Sequence, residues 1–323
     1  MRKATKYPST LPWPMQFAVP IAALVIFGTH LLVSKNAPPV ETHSYILLFW
    51  EIVAVSIILA IAQRFWAALR QWMRHMWPIF TAAILAIGVW DMITAGLHLL
   101  PMPYFPGPAA ILRSLISDRA LLLDSTWHSL ALLLSGYTLG VIVGLFSGVC
   151  IGWSNSVRYW GMPVLKVVGP IPATAWIPFA MVVAPSAIVS AAGLIALAVW
   201  FPVTMLTASG ISNTRASYLD VARTLGAGRA YLIFRVAIPA AVPNIFIGLF
   251  MGLGASFLTL VVAESVGVKS GLGWYVSWAQ GWAEYGKVFA ALVIMAAFFS
   301  TLMTLLFKIR DRVLVWQKGI IKW

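Results

Sequence analysis

Residues 218–239 read YLDVARTLGAGRAYLIFRVAIP, a stretch of polar helix in a chain that is otherwise mostly apolar. Ser217 to Asp220 has the spacing of a capping box, which predicts a helix starting at Tyr218. Tyr218, Val221, Ala222 and Leu225 fall at i, i+3, i+4 and i+7 and form one apolar stripe. Arg215, Asp220 and Arg223 leave the rest of the surface polar. Gly226 follows where helices commonly end in a left-handed residue. Pro239, which lacks an amide donor and restricts Ile238, is expected to stop a second helical run. A short amphipathic helix between apolar stretches suits docking into a partner's groove. The plainer alternative is a connector between two spans.

The surroundings place this segment in a membrane protein. The 323 residues are 61% hydrophobic and 10% charged, with mean hydropathy +0.90; soluble domains are about 45–50% apolar and about 25% charged. Apolar runs fall near 17–33, 45–62, 78–99, 129–152, 163–184, 187–209, 244–264 and 288–307. Each approaches the roughly 20 residues a helix needs to cross hydrocarbon, so the expected class is all-α and polytopic, with about eight transmembrane helices. Tryptophans gather near the ends of these runs, as in interfacial aromatic belts.

The net charge of +13 suggests nucleic acid until its placement is considered. With a cytoplasmic N-terminus, only Lys35, Arg113, Arg119, Lys269 and Lys287 of the 22 Lys and Arg residues fall outside. The excess therefore marks orientation, with both termini cytoplasmic and anionic lipid as partner. The first run could be a signal peptide after Arg2, Lys3 and Lys6, but it is long, contains Pro20 and lacks a clear cleavage site, so it is read as retained. The lone Cys150 allows no intrachain disulfide, and the five histidines have no metal-ligand spacing.

Gly136, Gly140, Gly144, Gly148 and Gly152 recur every four residues, a close-packing strip for another helix of this chain or of a second copy. Pro163, Pro170, Pro172 and Pro178 break the 161–178 stretch, which either lines a path or packs against one. Glu264 ends a long apolar run before a glycine-rich loop; it is either a gate contact or partner of a nearby cation such as Lys269, or an interfacial residue that reaches water. Asp91 and Glu51 could relay protons, although a structural hydrogen bond is the simpler reading. Asp124, His128 and Ser129 form the one polar cluster resembling a catalytic set. No phosphate-binding loop is present.

The 218–239 segment resembles the cytoplasmic coupling motif of binding-protein-dependent ABC importer permeases. Asp220, Val221 and Ala222 hold the Glu-Ala-Ala positions, Gly226 the glycine, and Val236, Ile238 and Pro239 the closing Ile-x-Leu-Pro, without a gap. Elsewhere the chain is similar to the nitrate, taurine and sulfonate branch: Leu100 to Pro108, Gly169 to Pro178, Ala263-Glu264 with Gly271-Leu-Gly273, and Arg310 to Trp316. It departs where the branch often has Ser-Leu-x-Arg, here Ser129 to Leu132, and where Val183-Ala-Pro185 replaces Phe-Gly. The resemblance implies a six-span core at 78–323, with its coupling segment near 212–239, and an accessory hairpin and basic connector at 1–77. It implies a homodimer in a bacterial inner membrane, two ABC ATPase subunits, a periplasmic substrate-binding protein, and ATP and Mg on the ATPase, with no cofactor on this chain. ATPase coupling falls to Asp220, Val221, Ala222, Arg223, Gly226, Ala227, Ile238 and Pro239. Ser129, Pro170, Pro172, Trp176 and Glu264 are candidates for the path of a small anion or nutrient. The rival class is an ion-coupled secondary transporter.

Overall fold

The computed structural model describes residues 17–33, 39–97, 99–101 and 103–316. The basic residues Arg2, Lys3, Lys6, Lys35, Lys318 and Lys322, and Met102 of the proline-rich segment, lie outside them. The described residues form helices and connections without strands, and divide into two compact units: 1–119 with 279–290, and 120–278 with 291–323.

The first unit contains α1 (Ala18–Val33), α2 (Pro39–Ala62), α3 (Ala67–Asp91) and α4 (Pro108–Ser117). A widened π turn, Met92–Gly96, extends α3. Val19, Ala23 and Ile26 of α1 are buried with Phe49 and Val53 of α2 and Trp77 of α3. The α2–α3 connector is closed by Arg70, whose guanidinium donates to the carbonyls of Gln63 and Arg64 at 3.1 Å each. Pro108 starts α4 at a position where its missing amide costs nothing.

The second unit contains α5 (Arg119–Trp153), α6 (Asn155–Val168), α7 (Ile177–Val183), α8 (Ala187–Ser212), α9 (Ala216–Thr224), α10 (Arg229–Val266), α11 (Leu272–Gly281) and α12 (Tyr285–Val313), the last shared between the units. The glycine strip of α5 meets α8 of the same chain. A Cβ at Gly136, Gly140, Gly144, Gly148 or Gly152 would sit 2.6–2.9 Å from the Cβ of Ile195, Val199, Val203, Thr207 or Ile211, respectively. Those partners also recur every four residues, so a ridge of α8 fills a groove of α5. Gly248 and Gly252 of α10 approach the other side of Val203 and Val199, leaving both valines with no exposed surface. Polar contacts reinforce the packing: Ser147 bonds Thr204 at 2.8 Å and accepts from Trp200 Nε1 at 3.1 Å, while the Tyr137 hydroxyl donates to the Leu249 carbonyl at 3.0 Å.

Among the described residues, six helices are long and apolar enough to cross a membrane. They match six of the eight runs expected. The first run forms the 16-residue α1, about 24 Å long by its rise and shorter than a hydrocarbon layer of about 30 Å. The fifth run is broken: Asn155–Val168 and Ala173–Val183 meet at 85°, and counting the pair as one span gives seven. Gly169, Pro170 and Pro172 occupy the break, where the prolines remove amide donors. The separation between this pair and α8 holds, with Ser186 capping α8 by accepting from the Val189 amide at 3.3 Å.

The packing predicts opposite responses from two helical glycines. Gly140→Ala destabilises the chain by about 1–3 kcal/mol through overpacking. Gly254→Ala, where a Cβ meets open space, leaves stability unchanged or raises it by up to about 1 kcal/mol. Thermal unfolding in detergent, followed by tryptophan fluorescence, separates the two.

Candidate functional site

The polar segment folds as α9 followed by a tight stop. The helix begins at Ala216, two residues before the expected start, and Arg215 caps it without a side-chain hydrogen bond. The capping box does not form. Ser217 lies inside the helix, and Asp220 accepts instead from Arg223 at 3.0 Å. Arg215 stacks its guanidinium 5.8 Å from the centre of the Tyr218 ring. At the far end Gly226 takes φ +86°. The Gly226 amide bonds the Arg223 carbonyl at 2.9 Å and the Ala227 amide bonds the Ala222 carbonyl at 3.0 Å, the paired bonds of a Schellman stop. Backbone conformation, rather than crowding, makes glycine suitable here, because a Cβ at this position would meet nothing within 4 Å.

The apolar stripe does not pack against its own chain. Tyr218, Val221 and Leu225 are exposed, Leu225 by 83%. They border a hollow of about 510 Å³ closed on its other side by Tyr231, Arg235 and Val236. This hollow leads into α10, where the expected stop at Pro239 is absent. The chain forms a π turn over Leu232–Ala237 and continues as helix through Pro239 and Pro243. Pro239 has no amide to bond the Arg235 carbonyl, so the turn before it widens instead of ending.

Ser129 and Glu264 meet although 135 residues separate them. Ser129 Oγ donates to Glu264 Oε1 at 2.7 Å and accepts from the Leu272 amide at 2.8 Å, while the Gly273 amide donates to Glu264 Oε2 at 2.7 Å. Glu264 is only 1% exposed, so it neither reaches water nor bonds Lys269. Gly271, at φ +99°, admits the carboxylate: a Cβ there would overlap it. Three elements, α5, α10 and α11, are thus tied by one carboxylate and one hydroxyl. His128 contacts Asp124 on the exposed surface, so the triad-like cluster is not assembled.

A cavity of about 530 Å³ lies beside the broken pair, bordered by Gly169, Pro172, Thr174, Phe201, Met251 and Thr259 among others, and none of its lining residues is ionisable. Of the path candidates, Pro172 borders this cavity. Ser129 and Glu264 belong to the buried clamp. Trp176 lies on the neighbouring 3₁₀ turn with a buried Nε1 that has no partner. Glu51 lies exposed on α2. The clamp was not visible in the sequence, because a serine in an apolar run carries no signal of so distant a partner; only Gly271-Leu-Gly273 hinted at close approach to Glu264.

Comparison with known proteins gives this geometry its class. The family described as binding-protein-dependent transport system inner membrane component matches residues 137–315. The taurine transport system permease protein TauC of Escherichia coli K12 is 30% identical over 238 residues, covering 69% of this chain and 86% of its own. The putative aliphatic sulfonates transport permease protein SsuC of Bacillus subtilis 168 is 34% identical over 230 residues, covering 70% and 80%. The nitrate import permease protein NrtB of Synechocystis is 28% identical over 186 residues, covering 58% and 65%. A crystal structure of an amino acid ABC transporter with histidines shares the fold at TM-score 0.50 and 19% identity, over 62% of this chain and 95% of that one. The chain belongs to the binding-protein-dependent transport system inner membrane component family. It is a permease subunit of an ABC importer, a multi-pass inner-membrane protein whose ATPase is a separate subunit and whose other partner is a substrate-binding protein.

Removing the clamp hydroxyl tests its part in the fold. Ser129→Ala leaves the Leu272 amide and one Glu264 oxygen unpaired, a loss of about 1–3 kcal/mol. Limited proteolysis of the loop between α10 and α11 is expected to speed up. An unchanged rate would mean that the loop is held by other contacts.

Proposed function

We propose that the exposed face of α9, with its Schellman stop and the hollow beside it, is where an ATPase subunit docks. The observation that carries this reading is an apolar stripe left uncovered by its own chain at Tyr218, Val221 and Leu225. Asp220, Val221, Ala222, Arg223, Gly226 and Ala227 set the shape of the docking helix, and Ile238 and Pro239 join it to α10. Two copies of the chain form the pore, and two ATPases, carrying ATP and Mg, dock from the cytoplasm. Both termini lie on that side, as the distribution of Lys and Arg supports. Closure of the ATPase pair on ATP moves the docked helices as rigid bodies, which shifts the spans between two arrangements.

The solute is a small anion such as a sulfonate, taurine, nitrate or bicarbonate, or a small polar nutrient, delivered by a periplasmic binding protein. The relatives' substrates support this choice. The cavity beside Pro172 serves as part of its path. With no ionisable residue in the lining, the cavity holds an anion only weakly and releases it readily, leaving selection to the binding protein. A fixed counter-charge would deepen the well and slow escape.

Co-purification with the ATPase subunit tests the docking assignment. Gly226→Pro combined with Asp220→Lys breaks the stop and reverses a charge on the exposed helix, away from the α5–α8–α10 packing. Wild type is expected to retain the ATPase, and the double variant to lose at least about 90% of it, equivalent to about 1.4 kcal/mol, while remaining monodisperse. Equal capture by a folded variant would place docking elsewhere.

A further inference from the structure

The matched family region begins at residue 137, and the helices of the first unit that precede it hold a buried cluster of their own. The unit's three longest helices meet at one buried polar point. His30 of α1, Tyr45 of α2 and Asp91 of α3 are 3%, 2% and 5% exposed. His30 Nδ1 lies 2.6 Å from Asp91 Oδ2. The Tyr45 ring packs edge-on to the imidazole with centroids 4.9 Å apart, and Phe49 backs Tyr45 at 4.8 Å. The pair rests on the π turn that follows Asp91, where the Thr94 hydroxyl is already committed to the Trp90 carbonyl at 2.8 Å.

Three polar atoms of this cluster are buried without a hydrogen-bond partner: His30 Nε2, the Tyr45 hydroxyl and Asp91 Oδ1. Asp91 lies within electrostatic reach of the Tyr45 hydroxyl but does not bond it. In a hydrocarbon surround each such group costs several kcal/mol. One water donating to the carboxylate oxygen and accepting from the phenol would satisfy two of them. The His–Asp pair meets a second need. Lipid tails are as apolar as the faces of α1 and α2, so burial alone gives those helices little reason to choose α3 or a fixed register on it. A polar pair that is satisfied in only one register supplies that choice.

We propose that His30, Tyr45 and Asp91 form a hydrated polar latch: the His–Asp contact and one buried water shared by the Tyr45 hydroxyl and Asp91 Oδ1 fasten the α1–α2 hairpin to α3. The proposal is independent of the docking assignment, since its residues and its readout lie in the first unit alone.

Disulfide trapping across α1 and α3 tests it. A Cβ on Gly88 would fall on the Ile26 side chain, so Ile26→Cys with Gly88→Cys, in a Cys150→Ala background, places two thiols in bridging range. The rate of bridge formation is measured in native membranes under mild oxidation. His30→Ala or Asp91→Ala is expected to slow it at least about fivefold, because each strands a buried polar partner. Tyr45→Phe slows it about two- to fivefold by losing the water's donor. Asp91→Asn, which keeps an acceptor for His30, and the His30→Leu/Asp91→Leu double, which removes both polar groups, return to within about twofold of the parent. These two variants also show that the single changes act through the pair and not through general misfolding. Parental rates in both alanine variants, or a double variant as slow as the singles, would overturn the latch. A parental rate in Tyr45→Phe would overturn the bridging water.

Discussion

The second unit depends on the absence of side chains on two faces that grip α8. Val199 sits between Gly140 and Gly252, and Val203 between Gly144 and Gly248. In lipid there is no hydrophobic gain from bringing apolar helices together, so association rests on dispersion and close approach. Each contact is individually small, and only a continuous run of them adds up. The four-residue register of both ridges provides that run along the second half of α5, from Gly136 to Gly152. Once α8 is held, the clamp at one end and the cavity beside the broken pair fall into place around it.

Polar groups then fix the ends that packing leaves open. Arg158 donates to the carbonyls of Ile151 and Gly152 at 3.1 and 2.6 Å, closing α5 as Arg70 closes α2. Both arginines lie six or seven residues beyond the carbonyls they satisfy, on the helix that follows. Orphan carbonyls at a helix end need partners, and a cation there also opposes the negative end of the helix dipole. Basic residues that the sequence assigns to orientation are therefore structural as well, and the two roles do not compete.

Legibility in the sequence followed the range of each interaction. The glycine strip was readable because its period is local, but its partner was not, since either this chain or a second copy could have supplied the opposing ridge. Gly226 was readable as a left-handed stop because few other residues take that conformation readily. The capping box at Ser217 and the stop at Pro239 misread local signals that other local contacts overrode: Asp220 found Arg223 one turn on, and a π turn absorbed the missing amide of Pro239. The Ser129–Glu264 and His30–Asp91 contacts were invisible because sequence spacing says nothing about residues 135 or 61 positions apart. Six spans were legible from apolar length, whereas the 85° break in the fifth run needed the backbone path between Gly169 and Pro172 to be seen.

The placement of rigidity bears on how such a chain can work. Between α5 and α10 the glycine contacts leave α8 little room, because interiors packed to this density shift between discrete arrangements and do not deform smoothly. The joint between α9 and α10 is different in kind. A Schellman stop, the two residues Ala227 and Gly228, and a π turn ahead of Pro239 join the short helix to α10. Force applied to α9 therefore reaches the packed core through residues 213–215, which join it to α8, and through the start of α10. That helix is continuous from Arg229 to Val266, and its far end carries Glu264 of the clamp. One helix thus joins the hollow beside α9 to the buried carboxylate that fixes the loop ahead of α11, and any tilt of α10 must be accommodated at both ends.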